Sequence, residues 1–131
     1  MSIDDELKNE TQNLSVLYVE DEDEIREELL EILSLDFNTI FVASNGEEGL
    51  ELFKKHRPEL VISDIQMPKM DGLTMCKNIQ RVDQDIPIIL VTAFNEQGYI
   101  DEAIDLNMRH FISKPISLYP LVVTFEFGFG D

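Results

Sequence analysis

Residues 14–33 read LSVLYVEDEDEIREELLEIL, and this stretch holds one complete strand-to-helix unit. Its first six residues, 14–19, form a short apolar run without strict alternation, the pattern of a strand buried on both faces of a sheet. Five acids, residues 20–24, follow without a break. Then Ile25, Leu29, Ile32 and Leu33 fall at i, i+4, i+7 and i+8, one apolar stripe on a helix. The same alternation recurs along the chain. Apolar runs at 39–42, 60–63, 86–91 and 111–112 are rich in Val, Ile, Leu and Phe. Between them lie further helical stripes: Gly49, Leu50 and Phe53 with Leu52 after Asn45-Gly46, then Leu73, Cys76 and Ile79 after Asp71-Gly72. Ile100, Ala103 and Ile104 form another after Asn95. A repeating order of strand then helix predicts an α/β fold with parallel strands joined by right-handed crossovers.

A chain of 131 residues allows one domain, and 44% hydrophobic with 28% charged residues is ordinary for a globular one. No run approaches the roughly 20 apolar residues of a membrane span. The acidic start does not read as a signal peptide. Cys76 is the sole cysteine, so neither an internal disulfide nor a multi-cysteine metal site can form, and a cytoplasmic setting is expected. The net charge of −17 repels phosphate backbones, so direct nucleic-acid binding is not expected. Residues 1–12 are expected to be an acidic arm and 13–117 the domain proper. Residues 118–131 are atypical. Leu118, Leu121, Val122 and Phe125 have helical spacing behind a Ser117 cap, with Pro120 in the first turn. Against that, residues 122–127 are β-prone and Gly128 and Gly130 would stop a helix early. A short helix with an irregular tail is expected, and its Phe125, Phe127 and Phe129 would favour a homodimer.

In an open parallel sheet, ligands bind outside the carboxyl ends of the strands. Glu20 and Asp21 follow the first strand, Asp64 the third, Thr92 the fourth and Lys114 the fifth. Three carboxylates, a hydroxyl and an ammonium therefore collect along one edge. Two unit charges about 4 Å apart repel by roughly 4 kcal/mol at an effective dielectric of about 20, and one lysine cannot offset three acids. Hard carboxylate oxygens with no His or Cys nearby favour Mg²⁺. An Asp beside Mg²⁺, with Lys and Thr opposite, is a competent phosphoryl acceptor.

These residues sit in motifs. Residues 17–22 read LYVEDE, 60–72 LVISDIQMPKMDG, 86–93 IPIILVTA and 111–115 FISKP. With them the chain resembles the receiver domain of the two-component response-regulator family, from about Leu14 to Ser117. The resemblance implies a flavodoxin-like, doubly wound five-stranded sheet of order 2-1-3-4-5 with helices on both faces. It implies Asp64 as phosphoacceptor and a Mg²⁺ site made by Asp21, Asp64, Glu20 directly or through water, and the backbone carbonyl of Gln66. Thr92 would hydrogen-bond the phosphoryl group, the switch aromatic Phe111 would swing inward behind it, and Lys114, ahead of a cis Pro115, would pair with the phosphate. The implied donor is a sensor histidine kinase or a phosphotransfer protein. Departures from the family pattern are Glu20 where many members have Asp and Phe111 where Tyr is frequent. Gln66 and Phe94 occupy positions that tune dephosphorylation in the family.

Other readings compete. A phosphorylation-independent docking module would keep the fold without the chemistry. An Asp-nucleophile phosphatase of the haloacid-dehalogenase type would want a second Asp at position 66, which is Gln. A flavodoxin-type FMN site would place phosphate against the acids of residues 20–24, with no Trp to stack the flavin. Glu22, Asp23 and Glu24 suit a helix N-terminus. Cys76 is expected in the core, His56 and His110 at the surface, and Met67 and Met70 in loop packing.

Overall fold

The computed structural model describes residues 13–92, 97–108 and 110–113. Among these residues five strands, β1 Ser15–Val19, β2 Thr39–Ala43, β3 Leu60–Asp64, β4 Ile88–Thr92 and β5 His110–Ser113, alternate with four helices. These are α1 Asp23–Leu33, α2 Gly46–His56, α3 Gly72–Val82 and α4 Gln97–Asp105. The strands form one parallel sheet in the order β2-β1-β3-β4-β5. The register sets Val19 beside Ala43 and Ser63, Asp64 beside Val91, and Thr92 beside Ser113. All carboxyl ends thus meet along one edge, as the strand-then-helix order requires.

Alternation along each strand sorts the core into two layers. Val16, Tyr18, Leu60, Ile62, Ile89, Val91 and Ile112 face α1, where they meet Leu29, Leu33 and Phe37. Leu17, Val19, Val61, Ile88 and Leu90 face the other way, onto Phe53 of α2, Leu73, Cys76 and Ile79 of α3, and Ala103 of α4. Being buried on both faces is why these strands read as unbroken apolar runs.

Local chemistry sets the helix ends. The Asn45 side chain accepts from Glu48 N at 3.0 Å and the Asp71 side chain from Thr74 N at 2.8 Å, so α2 and α3 begin on side-chain caps. Helix α1 begins after Glu22 without one, and its first-turn acids Asp23 and Glu24 complement the helix dipole instead.

The structure refines the sequence expectation in several details. The fourth strand begins at Ile88 rather than at 86, because Pro87 has no N–H for the ladder and contributes only its carbonyl, to Val61 N at 3.0 Å. Asp64 and Thr92 are the last residues of β3 and β4 rather than the first beyond them, so rigid strands carry them. Ile104, expected on the buried stripe of α4, is 50% exposed, and Ala103 is the buried residue of that helix. The expected arm 1–12, the residues Ala93, Phe94, Lys114 and Pro115, and the helix expected after Ser117 lie outside the described residues.

Candidate functional site

The edge formed by the strand ends brings Glu20, Asp21 and Asp64 together, with one carboxylate oxygen from each lying within 4.8 Å of the others. Glu20 is 2% and Asp64 4% exposed, while Asp21 is half-buried. Glu20 is held at several points. Its N–H donates to Ala43 O at 3.1 Å, its carbonyl accepts from Arg26 Nη1 at 2.9 Å, and its Oε2 accepts from Glu22 N at 3.2 Å. Asp64 Oδ1 accepts from Ile65 N at 3.0 Å, and its carbonyl accepts from Ser63 Oγ at 2.8 Å. Thr92 is buried at the next strand end.

The loop after β3 is fixed by two glycines. Gly72 N donates to Ile65 O at 2.6 Å, and a Cβ at Gly72 would lie 2.0 Å from Asp64 O. Gly46 N donates to Met70 O at 3.1 Å, and a Cβ there would lie 2.2 Å from that same oxygen. Only a residue without a side chain lets α2 and α3 close onto this loop. Between these anchors Lys69 takes the left-handed conformation at φ 68°. Met67 and Met70 pack on the core layer of α2, α3 and α4, as does Phe111 of β5, which is half-buried. Gln66 is exposed two residues beyond Asp64.

The electrostatic field at this edge is negative. Burial first, then the Glu20 and Asp64 carboxylates, push the Tyr18 phenol well above its ordinary range, with Arg26 pulling the other way. Three hard oxygen donors, two of them on buried side chains and none from His or Cys, form the donor set that Mg²⁺ prefers. The residues present therefore fit that ion, and a divalent charge would offset the mutual repulsion of three converging carboxylates.

The expected residues Glu20, Asp21, Asp64 and Thr92 are each at a strand end, and the three acids meet. Lys114 lies outside the described residues. The contacts of Arg26 and the steric demands at Gly46 and Gly72 emerge only from the folded structure. A signal for Arg26 was present: it is the one cation among residues 20–31, which carry eight acids.

The family model described as the response regulator receiver domain matches residues 16–126. The chain belongs to that family. Among solved structures, this receiver domain is similar to the N-terminal domain of an uncharacterized protein from Wolinella succinogenes. That match has 39% identity and a TM-score of 0.80, and covers 87% of this chain and 92% of the other. It is also similar to the CheX-CheY-BeF3-Mg complex from Borrelia burgdorferi, at 30% identity and a TM-score of 0.80, over 88% of this chain and 89% of that one. Among curated proteins, it is 35% identical to the transcriptional regulatory protein AfsQ1 of Streptomyces coelicolor over 78% of this chain and 45% of the relative. It is 40% identical to a probable transcriptional regulator, ycf27, of Guillardia theta over 78% of this chain and 40% of the relative. The receiver domain thus spans less than half the length of these curated relatives. Its clustered acids suit Mg²⁺-assisted phosphoaspartate chemistry of two-component signalling, the work of a phosphoacceptor switch rather than of a turnover enzyme. Among the described residues no helix is long and apolar enough to cross a membrane.

Proposed function

We propose that Asp64 accepts a phosphoryl group from a phosphohistidine on a sensor histidine kinase or phosphotransfer protein, and that residues 13–117 act as the receiver unit in the cytoplasm. The observation that carries this reading is the meeting of Glu20, Asp21 and Asp64 within 4.8 Å at the strand ends. An Asp64 carboxylate oxygen attacks phosphorus, the new O–P bond forms, and the P–N bond to the donor imidazole breaks, its electron pair leaving with the neutralised ring. Asp21, Glu20, Asp64 and the Gln66 carbonyl would hold Mg²⁺. When bound, the ion supplies positive charge to offset the phosphoryl oxygens. The similar Borrelia burgdorferi complex contains Mg and BeF3.

Thr92, at the end of β4 beside the Asp64 strand, donates its hydroxyl to a phosphoryl oxygen, and Lys114 pairs with another. Phe111, half-buried behind Thr92's strand, follows as Thr92 moves. Phosphorylation changes the surface of α4 and β5 only as far as it stabilises one conformer over the other. The test is exposure of the protein and of Asp64→Asn to acetyl phosphate with Mg²⁺, and to a phosphorylated histidine donor, with intact mass recorded. One Mg²⁺-dependent phosphoryl group, absent from Asp64→Asn, is the expected result. A label that persists in Asp64→Asn, or no label from either donor, overturns the assignment, the latter in favour of a docking module.

A further inference from the structure

We infer that Arg26 is a positioning residue for the metal site, acting through the fork geometry of its guanidinium rather than through its charge; this rests on the reading of Glu20, Asp21 and Asp64 as a Mg²⁺ site. Residues 20–22 have to turn the chain from β1 into α1 while aiming two carboxylates at Asp64. Backbone contacts tie this turn to β2 through Glu20 N and Ala43 O. On the helix side the tie is Arg26. Nη1 donates to the Glu20 carbonyl at 2.9 Å, and Nη2 reaches Asp23 Oδ1 at 2.6 Å. The side chain is only 20% exposed, so the fork is held rather than waving in solvent. Its partner Asp23 is 83% exposed, and such a surface ion pair adds little stability by itself. The geometric effect is different. The two prongs span from the strand-end carbonyl to the first residue of α1, and so fix the Glu20–Asp21 peptide, which joins the two residues that carry these carboxylates.

Charge and geometry make opposite predictions for metal binding. A cation near three carboxylates repels Mg²⁺, so if only its charge mattered, removing it would tighten binding. If the fork positions the acids, losing it loosens binding, as with other groups that orient metal ligands, where losses start at about tenfold. Arg26→Lys separates the two. It keeps the charge and much of the apolar stem but cannot bridge two acceptors in a fixed plane.

The experiment is Mg²⁺ titration by calorimetry of the wild type, Arg26→Lys, Arg26→Gln and Asp64→Asn, with thermal unfolding of each metal-free protein. The expected result is an Arg26→Lys affinity about tenfold weaker than wild type, with a metal-free midpoint close to it. Arg26→Gln falls between the two, because loss of the repelling charge offsets part of the loss of geometry. An Arg26→Lys affinity equal to wild type, or an Arg26→Gln affinity above it, overturns the inference. So does an Arg26→Lys protein that does not fold, since Arg26 would then be a determinant of the fold itself. A wild type whose titration matches that of Asp64→Asn overturns the metal-site reading instead, and with it the basis for assigning Arg26 any such role.

Discussion

A methyl group at Gly72 would lie 2.0 Å from the carbonyl oxygen of Asp64, and backbone on both sides leaves nothing flexible to yield. Gly72→Ala should therefore cost about 3 kcal/mol, the upper part of the overpacking range, and urea unfolding would show it. The same substitution at Gly98, where a Cβ meets nothing within 4 Å, should instead raise stability by about 0.5 kcal/mol through helix propensity. Equal losses at the two sites would contradict the steric account. Cys76 offers a second residue-scale test. Burial first, and the Asp71 carboxylate next, push its thiol up to about 12 from 9.0. The native protein should resist iodoacetamide at pH 8, whereas the urea-unfolded chain should react. The sign for stability follows from the proton count. Below pH 9 both states hold the proton; between pH 9 and about 12 only the native state does, so stability falls as pH rises, by at most about 1.4 kcal/mol per unit. Urea midpoints at pH 8 and pH 10.5 should differ less in Cys76→Ala than in the wild type, and an equal drop would assign the effect to other groups.

Helix α2 carries opposite conformational choices at its two ends. Asn45 accepts from Glu48 N in an extended conformation, and Asn45→Ala should cost about 1 kcal/mol. At the other end Arg57 takes a left-handed φ of 48°, a position that favours glycine. Arg57→Gly should relieve roughly 1 kcal/mol of backbone cost. It also loses the guanidinium 6.0 Å from the Phe53 ring, a contact worth about 0.5 kcal/mol at an exposed site. The net expectation is a small gain, read as a higher urea midpoint, and a loss would show that the side-chain contact outweighs the backbone. The elements themselves were legible in the sequence to different depths. Runs such as 60–63 were plain because both faces of β3 are buried, and the order of strand and helix then placed Glu20, Asp21, Asp64 and Thr92 on one edge. Helix α4 was less legible. Ile100, Ala103 and Ile104 define an apolar side but not which of the adjacent positions 103 and 104 meets the sheet, and the smaller residue does. The roles of Arg26, Gly46 and Gly72 were hidden for another reason: each depends on a close approach, to Glu20 O, Met70 O and Asp64 O, that exists only after the turns have closed.

Across the whole molecule, 27 acids face 10 lysines and arginines, and the fold gathers three of those acids at its strand ends. Two carboxylates about 5 Å apart repel by roughly 3 kcal/mol at an effective dielectric of about 20, so by bringing Asp64 to Glu20 and Asp21 the metal-free fold carries a repulsion that its unfolded chain largely lacks. Two consequences differ in sign. Asp64→Asn removes one of the three charges and should raise the metal-free unfolding temperature. Mg²⁺ binds only the folded arrangement, so at ten times its dissociation constant it should stabilise the wild type by about 1.4 kcal/mol, and Asp64→Asn far less. Melting curves followed by circular dichroism, with and without Mg²⁺, should therefore narrow or reverse the ranking of the two proteins as the ion is added. Sodium chloride at matched ionic strength provides the control, because general screening of the wild type's net charge of −17 acts almost equally on a variant that differs by a single charge. If sodium reproduced the Mg²⁺ effect, the stabilisation would belong to the charge of the molecule as a whole. If the wild type gained from Mg²⁺ what sodium cannot give, and Asp64→Asn did not, the gain would belong to the edge where β1 and β3 end.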